Sequence, residues 1–105
     1  MTTAETLRAA RELIADPEHW TQGCLARNKD GQPALYDGRS ACSWFAIGAI
    51  RRTADDPYPA MEALDRAAGA SRLYMVGHAA AVNDTRDHAA VMDMFDRAIE
   101  EAEGD

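Results

Sequence analysis

The chain has 105 residues, a common size for one domain, and carries 18 acidic residues against 11 Lys and Arg. This acidic excess disfavours a protein that grips phosphates, so direct nucleic-acid binding is not expected. No stretch approaches the ~20 apolar residues of a membrane span, and no apolar signal core follows the N-terminus. We therefore expect a cytoplasmic protein with a single helical domain over residues 1–105 and no membrane contact.

The first predicted element is an amphipathic helix. Thr2 and Glu5 have the spacing of a capping box. Apolar residues then recur on one face from Leu7 to Ile14, until Pro17 ends the pattern. Residues 18–39 follow without a helical period and contain three glycines and an Asp30-Gly31 turn signal, which predicts an irregular arm or a small β-hairpin.

A buried central helix is predicted next. Ser40 can cap it, and its interior from Trp44 to Ile50 is apolar on nearly every side. Gly48 in this run costs ~1 kcal/mol relative to Ala in a helix, which a close crossing with another helix would explain.

Three further helices complete the predicted fold. The third carries Leu64, and the two prolines after Asp56 suit a linker and the first turn of this helix. The fourth runs from Ser71 to Asn83, and the fifth is capped by Asp87. Together the patterns predict an all-α fold, a compact bundle of about five short helices.

The candidate binding residues fall into three groups. Two aromatic side chains of the arm can line a groove, two polar residues form the corner before the last helix, and three acids lie along that helix. For the aromatic residues a role as core anchors or loop clamps is preferred, for the corner a structural role in the turn, and for the acids a solvated face. The residues are Trp20, Tyr36, Asn83, Asp84, Asp93, Asp96 and Glu100.

Cys42 is the candidate nucleophile. In the first turn of a helix its thiolate would be stabilised by the helix dipole, and His78 or His88 could act as the base. Because free cysteines are usually buried, a structural, slowly reacting thiol is the preferred interpretation. No His or Cys pair has the i, i+3 or i, i+4 spacing of metal ligands, so neither a metal nor a cofactor is expected.

Four stretches carry a family resemblance: LRAARELIADPEHW, WFAIGAI, VND and RDHAAVMDMFDRAI. In this order, with a short Gly-containing arm after the first, they resemble the small bacterial and phage proteins of the domain-of-unknown-function family DUF6197. The resemblance implies no activity and permits a setting in bacterial or phage conflict or regulation.

Such proteins tend to read Trp-Cys-Ala-x-Gly-Ala, and here Phe45 takes the cysteine position. Either the family cysteine is a core residue, or Cys42 replaces it from one turn earlier, or this member is inactive.

The sequence leaves two candidate functions open. The first is a non-catalytic module that binds another protein through its acidic helix or its aromatic arm. The alternative is a small thiol-dependent hydrolase or transferase that uses Cys42 with a histidine base. The missing nucleophile signature and the phenylalanine at position 45 favour the first, and the oligomeric state is left open.

Overall fold

The computed structural model describes residues 2–68, 79, 82–83 and 86–104. These residues form four α-helices, a short 3-10 helix and a two-stranded sheet, which confirms a helical fold with a small hairpin. In chain order the elements are α1 (Thr3–Leu13), the 3-10 helix (Pro17–His19), β1 (Ala26–Arg27), β2 (Ser43–Trp44), α2 (Ala46–Thr53), α3 (Tyr58–Ala67) and α4 (His88–Gly104). The further helix predicted from Ser71 falls largely outside the described residues.

The N-terminal cap of α1 is the predicted capping box. The Thr2 hydroxyl accepts a hydrogen bond from the Glu5 N–H at 3.1 Å, and the Glu5 carboxylate accepts one from the Thr2 N–H at 3.1 Å. The pKa of the Glu5 carboxyl lies below its ordinary value. The main cause is the hydrogen bond from the Thr2 N–H and the second is a hydrogen bond with the Thr2 side chain, because both favour the charged carboxylate.

The arm, residues 20–44, contains the predicted turn and a short sheet. β1 and β2 are antiparallel, with Ala26 opposite Trp44. At the turn, Gly31 has a φ of +80° and its N–H donates to the Asn28 carbonyl at 3.0 Å. Glycine adopts this left-handed geometry without strain, which explains its position.

The central helix begins later than predicted. Ser40 does not cap it, since α2 starts at Ala46 and the preceding residues 43–44 form β2. The Phe45 N–H, which a longer helix would use internally, donates instead to the Leu25 carbonyl of the arm at 3.1 Å. Pairing with the arm therefore replaces the predicted first turns.

The core lies along α1, which packs against α2, α3 and α4, whereas α2 packs mainly against α1. Ile47 and Ile50 of α2 are buried, as predicted. The predicted partners of the core that lie among the described residues are also buried: Leu7, Trp44, Leu64, Val91 and Phe95. Val76, another predicted core residue, lies outside the described residues.

Gly48 marks a close approach of backbone to backbone. A Cβ atom at this position would overlap the carbonyl oxygen of Leu25 and lie 3.0 Å from its carbonyl carbon. The glycine is thus explained by close packing, although the neighbour is the arm and not the helix that the sequence suggested.

Candidate functional site

Asn83 is a fully buried polar residue that joins the arm to the central helix. Its relative exposure is 0%, and its Oδ1 accepts hydrogen bonds from the Trp20 indole N–H at 2.7 Å and the Ala46 N–H at 2.9 Å. Its Nδ2 donates to the Thr21 carbonyl at 3.0 Å. Because the N-cap residue Phe45 has no side-chain acceptor, Asn83 supplies the cap of α2 from a distant part of the chain.

The structural role preferred for Asn83 stays a prediction. The sequence suggested bonds to the carbonyls of its own helix, whereas these side-chain bonds reach the arm and α2. Asp84, predicted to act beside it, lies outside the described residues.

Gln22 forms a further link between the arm and the Asn83 region, and the sequence did not indicate it. Its Nε2 donates to the Asn83 carbonyl at 2.8 Å and to the Arg86 carbonyl at 3.0 Å. A glutamine in an irregular, polar segment has no distinguishing pattern, so no sequence signal could have indicated this role.

His88 contacts the same part of the arm. Its ring meets Trp20 edge to face, with centroids 5.5 Å apart, and its Nε2 lies 2.7 Å from the carbonyl oxygen of Ile14. The ring thereby connects the start of α4 to the end of α1. The other candidate base, His78, lies outside the described residues.

Cys42 is exposed, so the prediction of a buried thiol was wrong. It lies before β2, several residues ahead of α2, and therefore cannot gain the helix-dipole stabilisation that a position in the first turn would provide. Its thiol lies 3.4 Å from the Ser40 carbonyl oxygen. Cys42 lines a surface depression of about 320 Å³ together with Lys29 and Arg39.

We expect iodoacetamide to alkylate Cys42 several-fold faster than Cys24 in the folded protein. Cys42 is exposed, whereas Cys24 is partly buried and its thiol contacts the Ala26 carbonyl at 3.3 Å. The reagent therefore reaches the Cys24 thiol less easily, and Cys24 reacts more slowly. Peptide mass spectrometry after brief labelling measures both rates, with the unfolded protein as the control. Equal rates in the folded protein, or faster labelling of Cys24, would contradict the exposure of Cys42.

The acids of α4 are engaged within the molecule more than the sequence suggested. Asp96 accepts hydrogen bonds from Arg11 of α1 at 2.7 and 3.3 Å, and Asp93 pairs with Arg97 at 3.2 Å. Two further pairs are Arg66 with Glu101 and Arg8 with Glu103. Each exposed pair stabilises the fold by at most about 1 kcal/mol, but together they neutralise much of this face. Glu100 is exposed.

The arm tip, residues 33–39, combines a fixed backbone with an exposed apolar side chain. The Tyr36 carbonyl accepts hydrogen bonds from the Trp44 indole at 2.9 Å and from Arg52 at 3.2 Å. The Tyr36 side chain packs partly against the core. Leu35 beside it is 75% exposed. The predicted aromatic residues are thus separated, with Trp20 at Asn83 and Tyr36 at the arm tip.

The described residues contain neither a cluster of metal-binding side chains nor a helix that could span a membrane. Among them, no three His, Cys, Asp or Glu side chains lie close enough together to hold a metal ion. The described helices also include none that is both long and apolar enough to cross a bilayer.

Comparison with known proteins identifies a family. The model of the family of unknown function DUF6197 matches residues 1–101 of the 105. Searches of curated proteins and of solved structures found no match. Since the family match spans the arm, the central helix and nearly all of α4, the chain belongs to the DUF6197 family.

Proposed function

We propose that the protein is a non-catalytic module that binds another protein through the arm tip. The observation that carries this proposal is Leu35, an apolar side chain that is 75% exposed on a backbone held by hydrogen bonds. Burial of such a side chain in a partner's pocket contributes about 1.5 to 3 kcal/mol, equivalent to roughly ten- to hundred-fold in affinity.

The backbone around Leu35 is fixed from two sides. The Gly38 N–H closes a turn onto the Leu35 carbonyl at 3.0 Å. Arg52 of α2 donates to the carbonyls of Tyr36 and Gly38 at 3.2 and 3.1 Å, while its guanidinium lies 5.3 Å from the Trp44 ring centroid. A tip that is already ordered loses less conformational entropy when it binds, which favours a docking role.

The ion pairs of α4 favour the arm over the acidic helix as the docking surface. Asp93 and Asp96 already have arginine partners within the chain, so a basic partner would have to compete for them. Leu35 has no such competition, because its side chain is exposed to solvent. The sequence left both surfaces open, and the distribution of ion pairs supports the arm.

The contacts of the candidate catalytic groups also support binding over a thiol-dependent hydrolase or transferase. Cys42 lies outside the helix that was expected to activate it. His88, which could have served as its base, contacts Trp20 and the Ile14 carbonyl, and both contacts have a structural use.

The test is capture of partners from lysate of the native host on immobilised wild-type protein and on Leu35→Asp. We expect at least one protein to bind the wild type and to lose about tenfold in affinity for Leu35→Asp, because an aspartate cannot fill an apolar pocket. Quantitative mass spectrometry identifies the protein, and titration with the purified partner measures the affinity.

Tyr58→Asp is the matched control, since it also replaces an exposed large apolar residue, 64% exposed, with an acid. A partner of the arm tip binds this variant as well as the wild type. If Leu35→Asp, shown by circular dichroism to be folded, captures the same proteins with unchanged affinity, the arm tip is not the docking surface.

A further inference from the structure

A cavity of about 320 Å³ lies between α1 and the C-terminal end of α2. The residues that line it are either neutral or acidic: Thr6, Thr53, Ala54, Asp55 and Asp56. Arg51 and Arg52 line the adjoining depression on the side of Tyr36 and are not among the residues that line this cavity. The polar side chains of the lining therefore carry oxygen atoms and no nitrogen.

Thr6 is the buried side chain that indicates a ligand. Its relative exposure is 4%, although it is polar and lines the cavity. Its N–H donates to the Thr2 carbonyl at 2.9 Å, whereas its hydroxyl makes no hydrogen bond with any described residue. Buried hydroxyl groups usually have a partner, because loss of hydration without a replacement bond costs free energy. A polar ligand in the cavity would supply that partner.

The two acids of the cavity have no basic partner within the described part of the chain. Asp55 and Asp56 are both exposed, and neither takes part in an ion pair there. Arg52, close to them in sequence, donates instead to the Tyr36 and Gly38 carbonyls of the arm. The last carbonyls of α2 add partial negative charge beside the cavity. The cavity is therefore suited to a cation.

We propose that this cavity binds a primary ammonium group, the charged end of a lysine side chain or of a free aliphatic amine. An ammonium group has three N–H donors and no acceptor. It donates to the carboxylates of Asp55 and Asp56 and to the hydroxyl oxygen of Thr6. This site involves neither Leu35 nor the arm tip, so the inference goes beyond the proposed docking role.

The number of acceptors favours an ammonium group over a metal ion. Ca²⁺ takes about six to eight oxygen ligands, and Mg²⁺ requires a nearly octahedral set. The cavity offers two carboxylates, and no third His, Cys, Asp or Glu side chain of the described residues completes a metal-binding group with them. Two carboxylates and one hydroxyl, by contrast, provide an acceptor for each N–H of an ammonium group.

The Thr53 hydroxyl has a supporting role at the edge of the cavity. It donates to the Ala49 and Ile50 carbonyls at 3.1 and 3.0 Å, so its single proton is already used. Only the lone pairs of its oxygen remain, which again favours a ligand that donates hydrogen bonds over one that accepts them.

Titration of the full chain with n-butylamine hydrochloride at neutral pH tests the proposal, because this probe is the ammonium end of a lysine side chain. Two-dimensional NMR of the backbone amides measures binding. We expect saturable shifts of the Thr6, Asp55 and Asp56 signals. Tetramethylammonium chloride has the same charge but no N–H donor, so it should leave these signals unshifted at the same concentrations.

Two larger probes distinguish the sources of the ammonium group. An acetylated peptide with one lysine represents a protein partner, and 1,4-diaminobutane represents a free amine. Tighter binding of the peptide than of butylamine assigns the site to a lysine side chain, and tighter binding of the diamine assigns it to a free amine.

Thr6→Val is the decisive variant, since it removes the hydroxyl and keeps the shape of the side chain. Because this hydroxyl has no partner among the described residues, we expect a Tm no lower than that of the wild type but about tenfold weaker binding of butylamine. Asp55→Asn and Asp56→Asn should weaken binding to a similar degree. Asp30→Asn is the matched control, because it removes an equal charge from an arm residue that does not line the cavity.

Four results would overturn the proposal: no saturable shift with butylamine, which would mean that the cavity holds water only; equal shifts with tetramethylammonium; shifts with calcium chloride at lower concentrations than with butylamine, which would indicate a metal site; or unchanged affinity in folded Thr6→Val. Each is measured without a partner protein and without a change at Leu35. Failure here is therefore distinguishable from failure of the proposed function.

Discussion

Gly48→Ala is expected to destabilise the protein by about 2 to 4 kcal/mol, despite the better helix propensity of alanine. The added methyl group would overlap the Leu25 carbonyl oxygen and lie 3.0 and 3.3 Å from the carbonyl carbon and Cα of the same residue. These are backbone atoms, which cannot rotate away as a side chain could. The arm would have to move and weaken the Phe45–Leu25 hydrogen bond. The helix-propensity gain of about 1 kcal/mol is too small to offset this cost.

Thermal unfolding monitored by circular dichroism measures the effect, with an expected fall in Tm of about 10 °C or more for a domain of this size. Gly104→Ala is the matched control, because Gly104 is also helical and no atom lies within 4 Å of the position of its added Cβ. It should leave Tm nearly unchanged. If the two variants have equal Tm values, the arm does not pack on α2 as closely as described.

The elements that could be predicted are those whose signals are local. The capping box of Thr2 with Glu5 and the apolar stripe of the last helix lie within a few turns of chain, where propensity and side-chain spacing decide the structure. Asp87 likewise caps the last helix as predicted, accepting from the Ala90 N–H at 2.9 Å. The Asp30-Gly31 turn likewise depends on residues that are neighbours in the sequence.

The start of the central helix could not be predicted, because partners distant in sequence determine it. The apolar run from Trp44 onward has the composition of either a buried helix or a buried strand. Pairing with Ala26–Arg27 draws residues 43–44 into the sheet, and the helix then begins at Ala46. The same shift moves Cys42 out of the helix and onto the surface, so two incorrect predictions have one cause.

Two residues of the candidate site could be predicted, but Gln22 and the connections between the residues could not. Trp20 and Asn83 were both singled out, yet they are 63 residues apart and their hydrogen bond follows from tertiary packing alone. An asparagine in a turn is normally explained by its local backbone geometry. Burial of its carboxamide among distant partners could not be inferred from the polar character of its neighbours.

Asn83→Ala is expected to have the largest effect, a loss of about 3 to 5 kcal/mol, because it leaves several partly buried groups without hydrogen bonds at once. The Trp20 indole N–H and the Ala46 N–H lose their acceptor, and the Thr21 carbonyl loses a donor. Local turn bonds alone would give only about 1 to 2 kcal/mol. Urea unfolding measures the difference, and a loss below about 1 kcal/mol would contradict the buried network.

Asn28→Ala is the matched control for this measurement. The Asn28 Oδ1 also accepts two hydrogen bonds, here from the backbone N–H groups of Asp30 and Gln32, but at an exposed turn where water can replace them. Its loss should cost no more than about 1 kcal/mol. A double-mutant cycle of Asn83→Ala with Trp20→Phe then isolates the bond that joins the arm to Asn83. Additive effects would show that Trp20 is held by its ring contact with His88 rather than by Asn83, whereas a coupling energy identifies this hydrogen bond as the link that stabilises the arm against the helices.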